Sequence, residues 1–245
     1  MFMRFLRPFA AAAALLLLVA LAAPAEAAER SWVKVRYYPG APDMLRSNVD
    51  ASLDTVADLL DEYRIYLPRP ITVFITADAA DYVRVLMNHG YSREAAENQA
   101  KSSAGVSLGK RPVIVIKGSD ALRQSRSEVY RVLPHEIFHQ VQGQWGRLDT
   151  VTWMTEAAPE LFRIKAADRA GLVPAPASLA IEQHRVIRAK AVPSARQIGS
   201  KDYKVFSALA AQGYPVYSMS TLMLHKLTEG AGFDKVVYYY QLLHH

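Results

Sequence analysis

The chain has 245 residues, 51% of them hydrophobic, and a formal net charge of +6 at pH 7. It contains no cysteine, so disulfide bonds are excluded and stability must come from a hydrophobic core, a bound metal, or both. The basic residues are spread along the chain instead of being clustered, which argues against a nucleic-acid-binding protein.

The first 27 residues have the composition of a secretory signal peptide. Arg4 and Arg7 precede the apolar run FAAAAALLLLVALAAP, and Ala25-Glu26-Ala27 follows as an A-x-A cleavage site. The apolar run is short for a helix that must span a bilayer core of about 30 Å. We therefore expect a bacterial protein that is exported to the periplasm or secreted, with no stable membrane insertion after cleavage.

Strand and helix patterns alternate in the region that follows the leader. Residues 31–38 alternate as a strand does, and residues 43–63 carry apolar side chains at helical spacing. Further along, the predicted elements are strands at 71–76 and 112–118 and helices at 79–87, 123–145, 153–170, 178–190 and 214–243.

This order, strands mixed with helices and then helices only, predicts an α+β fold. We expect a single domain over 28–245, in which 28–122 forms an α/β part whose small mixed sheet packs on helices. The remainder, 123–245, is expected to be mostly helical. The most basic stretch, 184–204, is expected to be a solvated loop with one helical turn.

The segment VLPHEIFHQVQGQWG, residues 132–146, contains the pattern H-E-x-x-H. On an α-helix, His135 and His139 lie on one face one turn apart, so both imidazoles can bind one metal ion. Glu136 would lie beside them, where a carboxylate can take a proton from water. Pro134 either opens this helix at its first turn or lies inside a longer one. Two histidines on an ordinary helix face are the alternative interpretation.

A catalytic zinc needs a third protein ligand and an open fourth position. Glu156, in the segment TWMTEAAPELF, lies on the next predicted helix after a turn at 146–150. If that helix returns antiparallel across the first, its carboxylate reaches the histidine face. Glu160, one turn beyond Glu156, is placed to accept the free ring N–H of a ligand histidine.

These two segments together resemble the gluzincin metallopeptidases of the thermolysin-like clan, and most closely their bacterial peptidase MA-like branch. In that family a W-x-x-E segment, here residues 153–156, supplies the third zinc ligand. The segments ITVFITADAADYVRVL, AGVSLGKRPVIVI, VPSARQI and the C-terminal helical region are also similar, so the resemblance covers roughly 33–243. The chain departs from the family pattern at 157–159, where Ala-Ala-Pro follows the glutamate instead of Gly-x-Ala.

The resemblance implies a zincin-like fold that binds one zinc ion per chain through His135, His139 and Glu156. It implies that Glu136 is the general base, that Glu160 supports a ligand, and that a peptide or protein is the substrate. It also implies a Tyr or His that stabilises the oxyanion.

For that oxyanion role the nearest match is Tyr217, with Tyr214 and His225 as substitutes. We expect the strand at 112–118 to be the sheet edge that pairs with the substrate backbone.

Two other functions remain open at the level of the sequence. The first is a catalytically inactive zincin-fold protein that acts as a binding or scaffold protein of the cell envelope. The intact Glu136 argues against it, because a purely structural zinc site does not use that carboxylate. The second is a domain that binds DNA or an anionic membrane surface. Only the basic stretch 184–204 supports this interpretation. The sequence does not indicate an oligomeric state.

Overall fold

The computed structural model describes residues 30–109, 111–118, 122, 125–145 and 151–242. The predicted signal peptide with its cleavage site, and the turn predicted at 146–150, lie outside these ranges. Within the described ranges, no helix combines the length and the apolar character that crossing a bilayer requires.

The described part of the chain contains four strands and ten helices. In chain order they are β1 (Val33–Tyr37), α1 (Asp43–Glu62), β2 (Ile71–Ile75), α2 (Ala79–Asn88), α3 (Arg93–Ser102), β3 (Gly105–Ser107), β4 (Val113–Ile116), α4 (Arg126–Trp145), α5 (Thr152–Arg169), α6 (Ala175–Arg188), α7 (Ala195–Ile198), α8 (Tyr203–Ala211), α9 (Val216–Thr228) and α10 (Asp234–Leu242). The predicted α+β class with a small mixed sheet is therefore confirmed.

The four strands form one sheet in the order β1-β2-β4-β3. The β1–β2 and β2–β4 pairs are parallel, and the β3–β4 pair is antiparallel. The prediction that residues 112–118 form the sheet edge was wrong, because β3 covers the side of β4 that β2 leaves open. A three-residue strand that begins with glycine has too little alternation to be recognised in the sequence.

Helices cover both faces of the sheet. Side chains from alternate positions of β2 and β4, such as Val73 and Ile114, pack into the main core with α1, α4 and α5. The intervening positions, such as Phe74 and Val115, pack with α2 and α3 around the buried Tyr82. The two-residue period of the strands thus divides their side chains between two cores.

Most predicted helices appear within a few residues of their expected bounds, with four differences, one of which is that α8 was not predicted. The helical segment predicted over 214–243 is two helices, α9 and α10, separated by a turn in which Gly232 has a φ of +84°. Helix α3 was not predicted, since it is polar and only Ala96 is buried. In the basic stretch 184–204, α6 continues to Arg188 and α7 is the expected single turn.

Helices α4 and α5 form the pair that carries the H-E-x-x-H and W-x-x-E segments. Pro134 lies inside α4, so the longer-helix alternative holds, and Pro159 lies well inside α5. The rings of Phe138 and Phe162 pack 5.1 Å apart between the two helices. This contact joins the helices through the main core. Polar residues of both helices lie on the side away from this contact.

Candidate metal centre

Three predicted ligands from α4 and α5 come together at one point. The Nε2 atoms of His135 and His139 are 3.1 Å apart, and each lies 3.7 Å from Oε2 of Glu156. His135 also contacts Glu160, which is farther along α5, whereas His139 contacts Glu156. The two helices therefore run in opposite directions, which is the condition under which Glu156 was expected to reach the histidine face.

The separations of these three atoms suit a zinc ion. A point equidistant from atoms at these separations lies about 2.0 Å from each of them. Zinc binds histidine nitrogen at about 2.0–2.1 Å and carboxylate oxygen at about 2.0–2.2 Å. A group of two histidines and one carboxylate that converges in this way is a ligand set of catalytic zinc sites.

The remaining ring nitrogen of His135 is held by a chain of charged groups. Its Nδ1 atom lies 3.0 Å from Oε1 of Glu160, whose other oxygen is paired with Arg163. Arg163 also reaches Glu182 of α6, and Ser218 of α9 donates a hydrogen bond of 2.7 Å to that carboxylate. These side chains thus connect a ligand on α4 to three further helices, α5, α6 and α9.

The charged side chains next to Glu160 determine whether its carboxyl group is ionised. Burial alone would raise the pKa of the Glu160 carboxyl group, but its contact with His135 and the charge of Arg163 lower it to about 2. The carboxylate is therefore ionised at neutral pH, and its charge, 3.0 Å from Nδ1 of His135, favours a proton on that nitrogen. That tautomer leaves the lone pair of His135 on Nε2, pointing towards Glu156.

The remaining ring nitrogen of His139 is held by an amide. Nδ1 of His139 lies 2.8 Å from Oε1 of Gln142. The amide nitrogen of Gln142 donates to the carbonyl oxygen of Thr155 at 2.9 Å and to the hydroxyl of Tyr240 at 3.0 Å. With its nitrogen used in this way, Gln142 presents an acceptor to His139, so this ring also carries its proton on Nδ1.

Two imidazole lone pairs and a carboxylate therefore face one another, an arrangement that requires a cation between them. Burial alone would lower the pKa of His139, but the carboxylates of Glu156 and Glu136 raise it to about 9. Burial likewise opposes ionisation of Glu156, whereas His139 and His135 lower its pKa. In the metal-free protein a proton supplies the positive charge that a metal ion would otherwise supply.

Glu136 lies beside the ligands and close to the edge strand. A β-carbon at Gly105 of β3 would lie 2.7 Å from Cγ1 of Val132 and 3.2 Å from Cγ of Glu136, so only glycine allows β3 to approach α4 this closely. Gln140 of α4 reinforces the approach by donating a 2.6 Å hydrogen bond to the hydroxyl of Ser107 in β3. Among the described residues, none forms a hydrogen bond or ion pair with the carboxylate of Glu136.

Tyr217 of α9 and Tyr203 of α8 lie close enough to the site for its carboxylates to act on them. Burial raises the pKa of Tyr217, and the charges of Glu156 and Glu160 raise it further. Burial and the charges of Glu156 and Glu136 likewise raise the pKa of Tyr203. Phe206 contacts both rings. Both phenols therefore keep their protons at neutral pH, and both side chains are partly exposed to solvent.

The two substitutes considered for Tyr217 have different surroundings. Tyr214 packs against the small cluster of Phe206, Leu209 and Val216. Nε2 of His225 lies 3.7 Å from Oε1 of Glu229, the residue that follows α9. The structure therefore brings Tyr217 towards the ligands and gives Tyr214 and His225 other contacts.

The sequence did not indicate that the site includes Gln142, Tyr203, Arg163 or Glu182. Gln142 and Arg163 each follow a site residue by three positions, which is a helical neighbour spacing that could have indicated them. Tyr203 and Glu182 have no such signal, because only the packing of separate helices brings them near α5.

Comparison of the chain with models of known families, with curated proteins and with solved structures gave no match.

Proposed function

We propose that the chain is a zinc-dependent hydrolase that cleaves peptide bonds, with a zincin-like fold of the gluzincin type. The observation that carries this proposal is the convergence of three ligand atoms, His135 Nε2, His139 Nε2 and Glu156 Oε2, on a point about 2.0 Å from each. One zinc ion per chain would act there as a Lewis acid on a carbonyl group and lower the pKa of water to about 7.

The residues around this point have distinct roles in the proposed reaction. Glu136, which has no ion pair among the described residues, takes the proton from the attacking water and passes it to the leaving amine. Tyr217 keeps its phenolic proton and donates a hydrogen bond to the carbonyl oxygen as negative charge develops on it. The substrate backbone adds to the edge strand β3, which Gly105 holds next to Glu136.

The predicted signal peptide places this activity outside the cytoplasm, in the periplasm or the medium. A peptide or protein substrate suits the edge strand β3, since backbone hydrogen bonds bind extended chains with little sequence preference. At Gly105 the substrate would replace the Ser103 hydroxyl, which bonds the N–H and C=O groups of that residue. Nucleic acid is not an expected partner, because the basic residues of 184–204 are distributed over a loop and the helices α6, α7 and α8.

Zinc analysis combined with peptide cleavage tests the proposal. The purified protein should contain one zinc per chain by elemental mass spectrometry and should cleave members of a peptide library. His135→Ala and His139→Ala should each remove zinc and activity, and Glu156→Gln should weaken zinc binding. His184→Ala is the matched control, because His184 is exposed on α6. A wild-type protein that binds no zinc when zinc is in excess would refute the proposal.

The same experiment separates hydrolysis from the alternative role as a scaffold. A protein that binds one zinc ion but cleaves no peptide in the library would indicate a structural metal in an inactive zincin-like fold.

A further inference from the structure

We propose that Gln142 is a positioning residue for the metal ligand His139, and that Tyr240 in turn orients Gln142. The proposal rests on the proposed zinc site and adds to it two residues that do not touch the metal. It starts from the contact between Oε1 of Gln142 and Nδ1 of His139, which is 2.8 Å long.

The direction of the Gln142 amide is determined by its other contacts. The amide nitrogen is 2.9 Å from the carbonyl oxygen of Thr155, which can only accept a hydrogen bond. If the amide were turned over, its oxygen would face that carbonyl oxygen and its nitrogen would face the histidine. Oε1 is therefore the atom directed at His139, and it is an acceptor only.

Tyr240 gives this arrangement its second constraint. Its hydroxyl donates to the carbonyl oxygen of Met154 at 2.9 Å, so it is free to accept from the Gln142 amide at 3.0 Å. Both Gln142 and Tyr240 are almost fully buried, so water does not replace these partners. The last described helix, α10, is thereby connected to a metal ligand on α4 through one side chain.

The consequence for the metal site is a defined tautomer and ring orientation of His139. An acceptor at Nδ1 keeps the proton there and leaves Nε2 available to the metal, and it makes the ring a stronger ligand. For His135, Glu160 has this role. The two ligands are thus supported by different chemistry, an ionised carboxylate for one and an oriented amide for the other.

Replacing Gln142 tests the proposal through zinc affinity at fixed pH, measured by competition with a chelator. Gln142→Met removes both the acceptor and the donor at nearly constant volume, and we expect it to weaken zinc binding by about 10–100-fold. Gln142→Glu, unlike Gln142→Met, keeps an acceptor for Nδ1 of His139 but has no donor for Thr155. We expect it to lose thermal stability in the metal-free protein, as Gln142→Met does, but to keep zinc affinity within a few-fold of the wild type.

Two further variants complete the experiment. Gln144→Met is the control on the same helix, since the Gln144 amide bonds the backbone of Arg69 and should leave zinc affinity unchanged. Tyr240→Phe should weaken zinc binding by less than Gln142→Met, because Thr155 still holds the amide. In the zinc-loaded protein, nitrogen NMR of His139 should show a protonated Nδ1 that loses its hydrogen bond in Gln142→Met.

The outcomes distinguish this inference from the proposed function. A wild-type protein that binds no zinc would refute both. A wild-type protein that binds zinc, with Gln142→Met of equal affinity, would refute the positioning role alone. Equal losses of affinity in Gln142→Met and Gln142→Glu would also refute it, because they would show that Gln142 acts only through packing and its contact with Thr155.

Discussion

The two sides of the candidate metal centre differ in how their polar groups are satisfied. On the inner side, Glu160 lies 3.0 Å from Nδ1 of His135, Gln142 accepts from Nδ1 of His139, and both are held by further buried groups. On the outer side, Glu136 has no hydrogen bond or ion pair among the described residues, and Tyr203 and Tyr217 are partly exposed. Ligand geometry thus depends on the inner side, and the groups that can act on a substrate lie on the outer side.

The largest effect is expected from Glu136 on the outer side. Glu136→Gln should lower peptide hydrolysis by about 10²–10⁴-fold, because an amide cannot take a proton from water. Zinc content should not change, since Glu136 is not a ligand. Cleavage rate and zinc stoichiometry measured on the same sample test both statements.

Glu128→Gln is the control for Glu136→Gln. Glu128 lies on the same helix and pairs with Arg131 on the surface. Full activity of Glu136→Gln would show that Glu136 is only a helix-surface residue.

The next largest effect is expected from Tyr217. Tyr217→Phe removes the hydroxyl that would stabilise the oxyanion, so we expect kcat to fall by about 10²–10³-fold. KM and zinc content should stay nearly constant, which is the pattern of an interaction made mainly in the transition state.

Tyr214→Phe and His225→Ala should leave kcat unchanged, since these residues contact other groups. If His225→Ala lowered kcat and Tyr217→Phe did not, the oxyanion role would belong to His225. If none of the three variants changed kcat, α9 would not line the site.

On the inner side, Glu160→Gln should weaken zinc binding by about 10–100-fold, because the neutral amide no longer accepts strongly from His135. Glu182→Gln should change zinc affinity much less, since Arg163 lies between Glu182 and Glu160. We expect Glu182→Gln to lower the thermal stability instead, as the buried Arg163 loses a charged partner. Equal effects of both variants on zinc affinity would contradict this gradation.

The smallest expected effect is a pH dependence of the stability of the metal-free protein. The pKa of His139 is raised to about 9 in the folded state, above its ordinary value of about 6.5. The stabilisation that results is therefore present below about pH 6.5 and is lost as the pH rises through 9.

Thermal unfolding in the presence of a chelator should show that stability declines as the pH rises. In His139→Gln this pH dependence should be absent. Zinc affinity should rise over the same range, because protons and zinc compete for the same Nε2. A flat stability profile between pH 6 and 10 would contradict the assignment.

The strength of a local pattern explains which predictions were confirmed by the structure. The α+β class followed from strong strand and helix periods. The juxtaposition of His135, His139 and Glu156 followed from helical spacing together with an antiparallel return. The sheet edge was assigned wrongly to residues 112–118 because the true edge strand, Gly105–Ser107, is too short to show a period.

The sequence by itself determined which residues share a helix face at the site. His135 and His139 are one turn apart, as are Glu156 and Glu160, and the geometry of an α-helix leaves no choice in their placement. Only the tertiary structure decided which groups from other helices join them. Tyr217 and Tyr240 reach the site because α9 and α10 pack against the α4–α5 pair, and such packing depends on apolar surfaces that carry no local spacing signal.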